Sequence, residues 1–262
     1  EERSEAFLAD QHGRAHEYDA ELALDAEGRF LAVRVMVHAA LGAYVSATGP
    51  LPGSLNIVKN VQSNYATPLI EVRTKAVVTN ASPVGAYRGA GRPEANYLME
   101  RLIEQAAAET GHDPIDLRRR NHIPEGALPY QAASGSLYDS GAFTRLLERA
   151  IAASDWHGFP ARRAESLARG MLRGRGIGNF LECTAPASQE MGGIRFEKDG
   201  TVTIITGTLD YGQGHWTPFA QVLHQRLGIP FDRIRLVQGD SDRLLAGGGT
   251  GGSRSAMASS TA

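Results

Sequence analysis

Along the first third of the chain apolar and polar positions alternate in two runs, residues 21–25 and 30–37, separated by Ala26-Glu27-Gly28-Arg29. Period two with a glycine between the runs predicts a β-hairpin turning at Gly28. Residues 71–79 alternate again as a strand, whereas residues 45–64, with Gly49, Pro50, Pro52 and Gly53, lack a period and read as loop or short irregular helix. From Pro93 the pattern becomes helical: Leu98, Leu102, Ile103 and Ala106 share a face, and Gly111 is a fitting stop. Asp113-Pro114 offers an N-cap followed by proline at the first helical position, with Asp116 in the first turn of a short helix through Asn121. Residues 122–141 read as loop, and 141–154 as an amphipathic helix.

The basic segment 162–175 reads as a solvated connecting helix, which places a domain boundary near residue 160. Beyond it, runs 194–197 and 201–208 flank Lys198-Asp199-Gly200 as a second hairpin. Phe219, Val222, Leu223 and Leu227 then mark a helix stopped by Gly228, and residues 233–237 a further strand. Strand, glycine-rich turn, helix, strand is an α/β unit that sets Gln213 near a helix N-terminus. The expected fold class is α+β, with two mixed α/β domains over residues 1–160 and 161–262.

Composition narrows the function classes. With 42% hydrophobic and 21% charged residues and a formal net charge of −2, nothing in the composition points to a polyanion-binding surface or a disordered tail, so nucleic acid is not an expected partner. No apolar run is long enough to cross a bilayer, and Glu1-Glu2-Arg3-Ser4-Glu5 is unlike a signal peptide, which points to the cytoplasm. Cys183, the single cysteine, excludes a disulfide or a protein-ligated iron–sulfur cluster within this chain and reads as a small semi-buried residue. His12 and His16 read as a solvated surface pair, and Asp240-Ser241-Asp242 as a turn. A start without Met inside a charged segment and a stop without a terminal element suggest an internal piece of a larger subunit.

Three glycine-punctuated segments carry the chemistry. Gly85 to Ala95, with Tyr87, Arg88, Gly89 and Ala90, runs into the first long helix, whose free N–H groups favour anions. In residues 207–217 a primary amide, Gln213, stands between Gly212 and Gly214 and can donate and accept hydrogen bonds beside a closely approaching backbone. In residues 247–255, glycine pairs, the hydroxyls of Thr250, Ser253 and Ser255, and the Arg254 charge suit a phosphate or pyrophosphate. This is neither a Walker A loop, which requires lysine, nor a dinucleotide fingerprint opening a βαβ unit.

Ala86-Tyr87-Arg88-Gly89-Ala90-Gly91-Arg92-Pro93-Glu94-Ala95, followed by Glu100-Arg101, Asp113-Pro114 and Arg119-Arg120-Asn121, is similar to the molybdenum-cofactor-binding large subunit of the xanthine dehydrogenase, aldehyde oxidase and carbon monoxide dehydrogenase family. The two later glycine segments resemble the same family in matching order. The resemblance implies two molybdopterin-binding domains and an oxidoreductase that hydroxylates an aldehyde or N-heteroaromatic C–H with water-derived oxygen. It implies a molybdenum-bearing molybdopterin, in bacterial members the cytosine dinucleotide, with electrons leaving through iron–sulfur and FAD partner subunits in a dimer of heterotrimers. Carried over, it places Arg88 and Gly89 near the metal, Tyr87 and Ala90 at the substrate pocket, and Gly212, Gln213 and Gly214 on the pterin or its phosphate. Thr250, Gly251, Gly252, Ser253, Arg254 and Ser255 would hold the pterin and pyrophosphate.

The departures are specific. Carbon monoxide dehydrogenase proper has a copper-binding cysteine where this chain has Gly89, and xanthine dehydrogenases have an aromatic residue where it has Ala90, so neither a copper–molybdenum site nor purine specificity is supported. The family's catalytic glutamate belongs to a motif beyond Ala262, and no glutamate here takes that role. Two other readings stay open: a non-catalytic nucleotide- or anion-binding module, and a pseudo-subunit without cofactor.

Overall fold

A computed structural model of the chain describes residues 2–184 and 190–259. They form two compact units, Glu1–Cys183 and Thr184–Ala262. Both mix helices and strands, as the α+β reading requires.

In the first unit, helix α1 (Arg3–Ala9) precedes strands β1 (His16–Leu24) and β2 (Phe30–Gly42), which pair antiparallel with Leu22 opposite Val33. A short irregular turn, Pro52–Asn56, leads into α2 (Ile57–Asn60), and β3 (Leu69–Val78) then pairs parallel to β2, leaving β2 central. Alternation along β2 buries Val33, Val35, Val37 and Ala39 on one face, where α3 (Arg92–Thr110) lays down Ala95, Leu98, Met99, Ile103 and Ala106. Helix α3 ends at Gly111, and α4 (Pro114–Asn121) starts from Asp113, whose Oδ1 accepts the N–H groups of Ile115 at 2.7 Å and Asp116 at 3.0 Å. Asn121 closes the arrangement: its Oδ1 accepts the Phe30 N–H at 2.8 Å and its Nδ2 donates to the Gly28 carbonyl at 2.8 Å. Arg118, with no exposed side-chain surface, is held by Glu100, to which its Nε donates at 2.9 Å; the Tyr65 hydroxyl donates to the same carboxylate at 2.5 Å.

A two-strand pair, β4 (Tyr130–Gln131) with β5 (Leu137–Tyr138), and helices α5 (Phe143–Ala153) and α6 (Phe159–Ala168) follow. The division expected near residue 160 falls inside this unit, because residues 171–183 return onto it. Arg175 stacks on Trp156, 4.1 Å from the ring centroid, and Arg173 donates to the Ser166 hydroxyl at 2.8 Å, so the basic segment is anchored rather than merely solvated. Asn179 contacts His122 and accepts from Asn64 Nδ2 at 3.0 Å.

The second unit is a three-strand sheet. Strands β6 (Gly192–Phe196) and β7 (Val202–Thr206) form the expected hairpin, α7 (Trp216–Leu227) crosses over, and β8 (Ile234–Val237) pairs parallel to β7. Its core joins Val202 and Ile234 to Ala220 and Leu223. Of the expected helical face, Phe219 and Leu223 are buried while Leu227 is exposed, because Ala220 takes the innermost place. Helix α8 (Ser255–Ser259) is the last element among the described residues.

Candidate functional site

In the first unit the loop before α3 is fixed by its carbonyls. Arg14 Nη2 donates to the Arg88 carbonyl at 2.6 Å, Arg92 Nη1 to that of Gly89 at 3.1 Å, and Asn56 Nδ2 to that of Ala90 at 2.7 Å. With its acceptors engaged, the turn presents the side chains of Tyr87 and Arg88, both exposed, and Tyr87 lies under the Arg14 guanidinium at 4.6 Å. Ala90 adopts φ +46°, a conformation that costs a residue with a Cβ and persists only where the surroundings hold it. Gly91 must be glycine: φ is +91° and a Cβ would stand 2.2 Å from the Pro52 carbonyl oxygen. The helix start is already provided with negative charge, because buried Glu94 accepts the Gly91 N–H at 3.0 Å. An anion there would meet a carboxylate, so the expected attraction at this helix end is answered from within.

In the second unit the two later glycine segments come together. Gly207 and Gly247 approach backbone to backbone; a Cβ on Gly207 would stand 2.7 Å from the Ala246 carbonyl oxygen, and one on Gly247 2.8 Å from the Gly207 oxygen. The Gly249 N–H donates to the Gly207 carbonyl at 3.3 Å. Thr250 Oγ1 donates to the Leu209 carbonyl at 2.7 Å and accepts the Leu209 N–H at 3.0 Å, with the Ser255 hydroxyl 3.5 Å behind it. Gly251 and Ser253 lie at the surface, and Gly252 and Ser253 turn the chain in the left-handed region.

The Gln213 loop is ordered by Asp210. Its carboxylate accepts the N–H groups of Gly212 at 2.7 Å, Gly214 at 3.2 Å and His215 at 2.7 Å, and these bonds, led by that of Gly212, hold its carboxyl below the usual range. Gln213 closes the same loop: Oε1 accepts the Tyr211 N–H at 2.6 Å and Nε2 donates to the Leu209 carbonyl at 3.2 Å. One N–H and one lone pair of this exposed amide are left for a ligand.

Arg254 sits beside this junction, its side chain 21% exposed, with Nε donating at 2.9 Å to Glu190, whose side chain is 2% exposed. Glu190 was not legible as a site residue, since it falls in no motif and its burial depends on the fold. Among the described residues its Oε2 has no hydrogen-bond partner. His12 and His16 are no surface pair: His16 is half-buried, 2.9 Å from the Tyr18 hydroxyl, and burial lowers its pKa. Asp240 accepts the Asp242 N–H at 3.1 Å as a turn, and Cys183 Sγ lies 3.2 Å from Asn60 Oδ1.

A family model described as molybdopterin cofactor-binding domain matches residues 1–122, and a second of the same description matches residues 149–262. The carbon monoxide dehydrogenase large chain of Hydrogenophaga pseudoflava is 32% identical over 97% of this chain and 34% of its own length. The gamma subunit of the 6-hydroxypseudooxynicotine dehydrogenase complex of Paenarthrobacter nicotinovorans is 31% identical over 98% of the chain and 33% of its own length. Among solved structures, carbon monoxide dehydrogenase from Oligotropha carboxidovorans aligns over 100% of the chain and 35% of its own, with a TM-score of 0.87 and 32% identity. Quinoline 2-oxidoreductase from Pseudomonas putida 86 aligns over 98% of the chain and 34% of its own, with a TM-score of 0.82 and 28% identity. The chain spans about a third of the length of the curated relatives it matches.

Proposed function

The chain belongs to the molybdopterin cofactor-binding family that includes large subunits of carbon monoxide and xanthine dehydrogenases, and from that premise we propose that it is part of a molybdenum hydroxylase. When bound, the molybdenum centre supplies the two-electron oxidation by which a water-derived oxygen enters a C–H bond, here of an aldehyde or N-heteroaromatic substrate. The share of this chain is to bind and orient. Gly212, Gln213 and Gly214 serve the pterin or its phosphate; Thr250, Gly251, Gly252, Ser253, Arg254 and Ser255 serve the pyrophosphate of a cytosine dinucleotide. Arg88 and Gly89 would line the surroundings of the metal, and Tyr87 and Ala90 the substrate pocket.

The observation that carries this reading is the second unit's junction. Two glycine segments meet through Gly207 and Gly247, and Arg254 enters beside them with, among the described residues, Nε alone engaged, which leaves its two terminal nitrogens for phosphate oxygens. The residues present fit a polar, anionic cofactor. Relatives described as large chain, large subunit and complex subunit support partner subunits; we assign these as iron–sulfur and FAD subunits in a dimer of heterotrimers, and the complex to the cytoplasm.

Metal and pterin analysis of the complete subunit, co-expressed with its partners, tests the reading. We expect molybdenum and a pterin dinucleotide near one per large subunit, and no stoichiometric copper, because Gly89 offers no thiolate. A folded complex holding neither molybdenum nor releasable pterin would leave the non-catalytic module or the pseudo-subunit.

A further inference from the structure

Glu190 is a buried acid with one oxygen unused among the described residues. Its side chain is 2% exposed, Arg254 Nε engages Oε1 at 2.9 Å, and Oε2 is buried without a partner among the described residues. An ionised carboxylate has about four lone-pair sites, and an acceptor withdrawn from water without a donor is a liability that folded proteins seldom keep. Here the liability adjoins the junction of the two glycine segments: a Cβ on Gly248 would lie 3.6 Å from Arg254 Nη2. A guanidinium whose terminal nitrogens, and a carboxylate whose second oxygen, have no partner among the described residues together recognise a ligand carrying an anionic oxygen next to an N–H or O–H donor.

We infer that Glu190 is a cofactor-binding residue whose Oε2 accepts an N–H or O–H of the bound pterin dinucleotide, while Arg254 takes its phosphate. The inference rests on the proposed function, since that cofactor class presents amino, ring N–H and hydroxyl donors close to its phosphates. It also gives a signed expectation. In the cofactor-free protein Glu190→Gln keeps an acceptor for Arg254 Nε but gives up the ion pair and buries an NH2 in place of Oε2, so the melting temperature should fall. In the loaded protein the same substitution sets an NH2 against the cofactor's donor.

The test uses the complete complex, prepared with cofactor and from a host unable to synthesise it. Release of the pterin dinucleotide should be roughly tenfold faster in Glu190→Gln than in the wild type, as expected for the loss of one charge-assisted hydrogen bond. The melting temperature of the variant should lie further below that of the wild type with cofactor than without it. Equal release rates would mean that protein or water satisfies Oε2, and would overturn the inference. So would a fall in melting temperature of equal size with and without cofactor, the signature of a purely structural ion pair. If Glu190→Gln does not assemble, Glu190→Asp, which keeps the charge and withdraws it by one carbon, should also speed release. A wild-type complex without molybdenum or pterin would refute the proposed function itself, whereas a loaded wild type with an indifferent variant refutes the role of Glu190 alone.

Discussion

Arg254 shows how one residue can hold two obligations. Its charge compensates Glu190 within the apo fold, and its terminal nitrogens are what a phosphate would use. Arg254→Met therefore strands a buried carboxylate, and the cost of breaking such a pair from one side is about 3–5 kcal/mol. We expect the cofactor-free complex itself to melt lower, with faster loss of cofactor on top of that. Arg254→Lys keeps the charge but not the planar fork, and should lie between the wild type and Arg254→Met in both measurements. A cofactor-free Arg254→Met complex with wild-type melting temperature would show that the pair with Glu190 does not support the fold. The sequence marks Arg254 by its setting among glycines and hydroxyls, yet offers no sign of Glu190. A partner 64 positions away is settled only by the fold.

Elements whose signals are local were legible in the sequence, and those fixed by single polar contacts were not. The hairpin at Gly28, the stop of α3 at Gly111 and the Asp113 cap follow from period and backbone chemistry, and each stands where expected. The return of residues 171–183 has no period to betray it; it depends on contacts such as Asn179 with Asn64 and the donation of Arg92 Nε to the Cys183 carbonyl at 2.9 Å. Arginines read as solvated because a sequence shows their charge and not the carbonyls or rings they meet. The candidate site was legible as glycine segments, while their docking through Gly207 and Gly247 and the engagement of Gln213 with its own loop were not. The loop before α3 gives this scale its prediction. Gly91→Ala combines a left-handed φ of +91° with a Cβ 2.2 Å from the Pro52 oxygen, so the turn from Tyr87 to Gly91 must shift. The cost should be at least about 2 kcal/mol, read as a lower melting temperature of the first unit and as faster amide exchange through residues 87–91.

Across the whole molecule, acid should act first through the first unit. His122 is buried there, stacked on Tyr65 with ring centroids 5.5 Å apart, its Nδ1 is 3.0 Å from the Thr144 hydroxyl, and Asn179 contacts its other nitrogen. Burial, and after it the Arg118 charge, lowers its pKa to about 4, against an upward pull from Glu148. His16, lowered by burial against an opposing pull from Glu94, adds in the same direction. Because the folded-state value is depressed, the unfolded chain binds a proton that the folded chain refuses between the unfolded value near 6.5 and about 4. Stability therefore rises with pH across that window: it is intact above the unfolded value and is lost as pH falls toward the folded one. The lowered carboxyl of Glu148 has the same sign but titrates below its ordinary value of 4.5 and leaves the window to the histidines. Calorimetry of the complex from pH 7 to pH 5 should show the transition of the first unit moving down, and His122→Gln, which cannot titrate, should flatten that slope even if it lowers the transition at pH 7. A slope unchanged by His122→Gln would assign the acid sensitivity to other groups and would mean that His122 carries its proton in the fold.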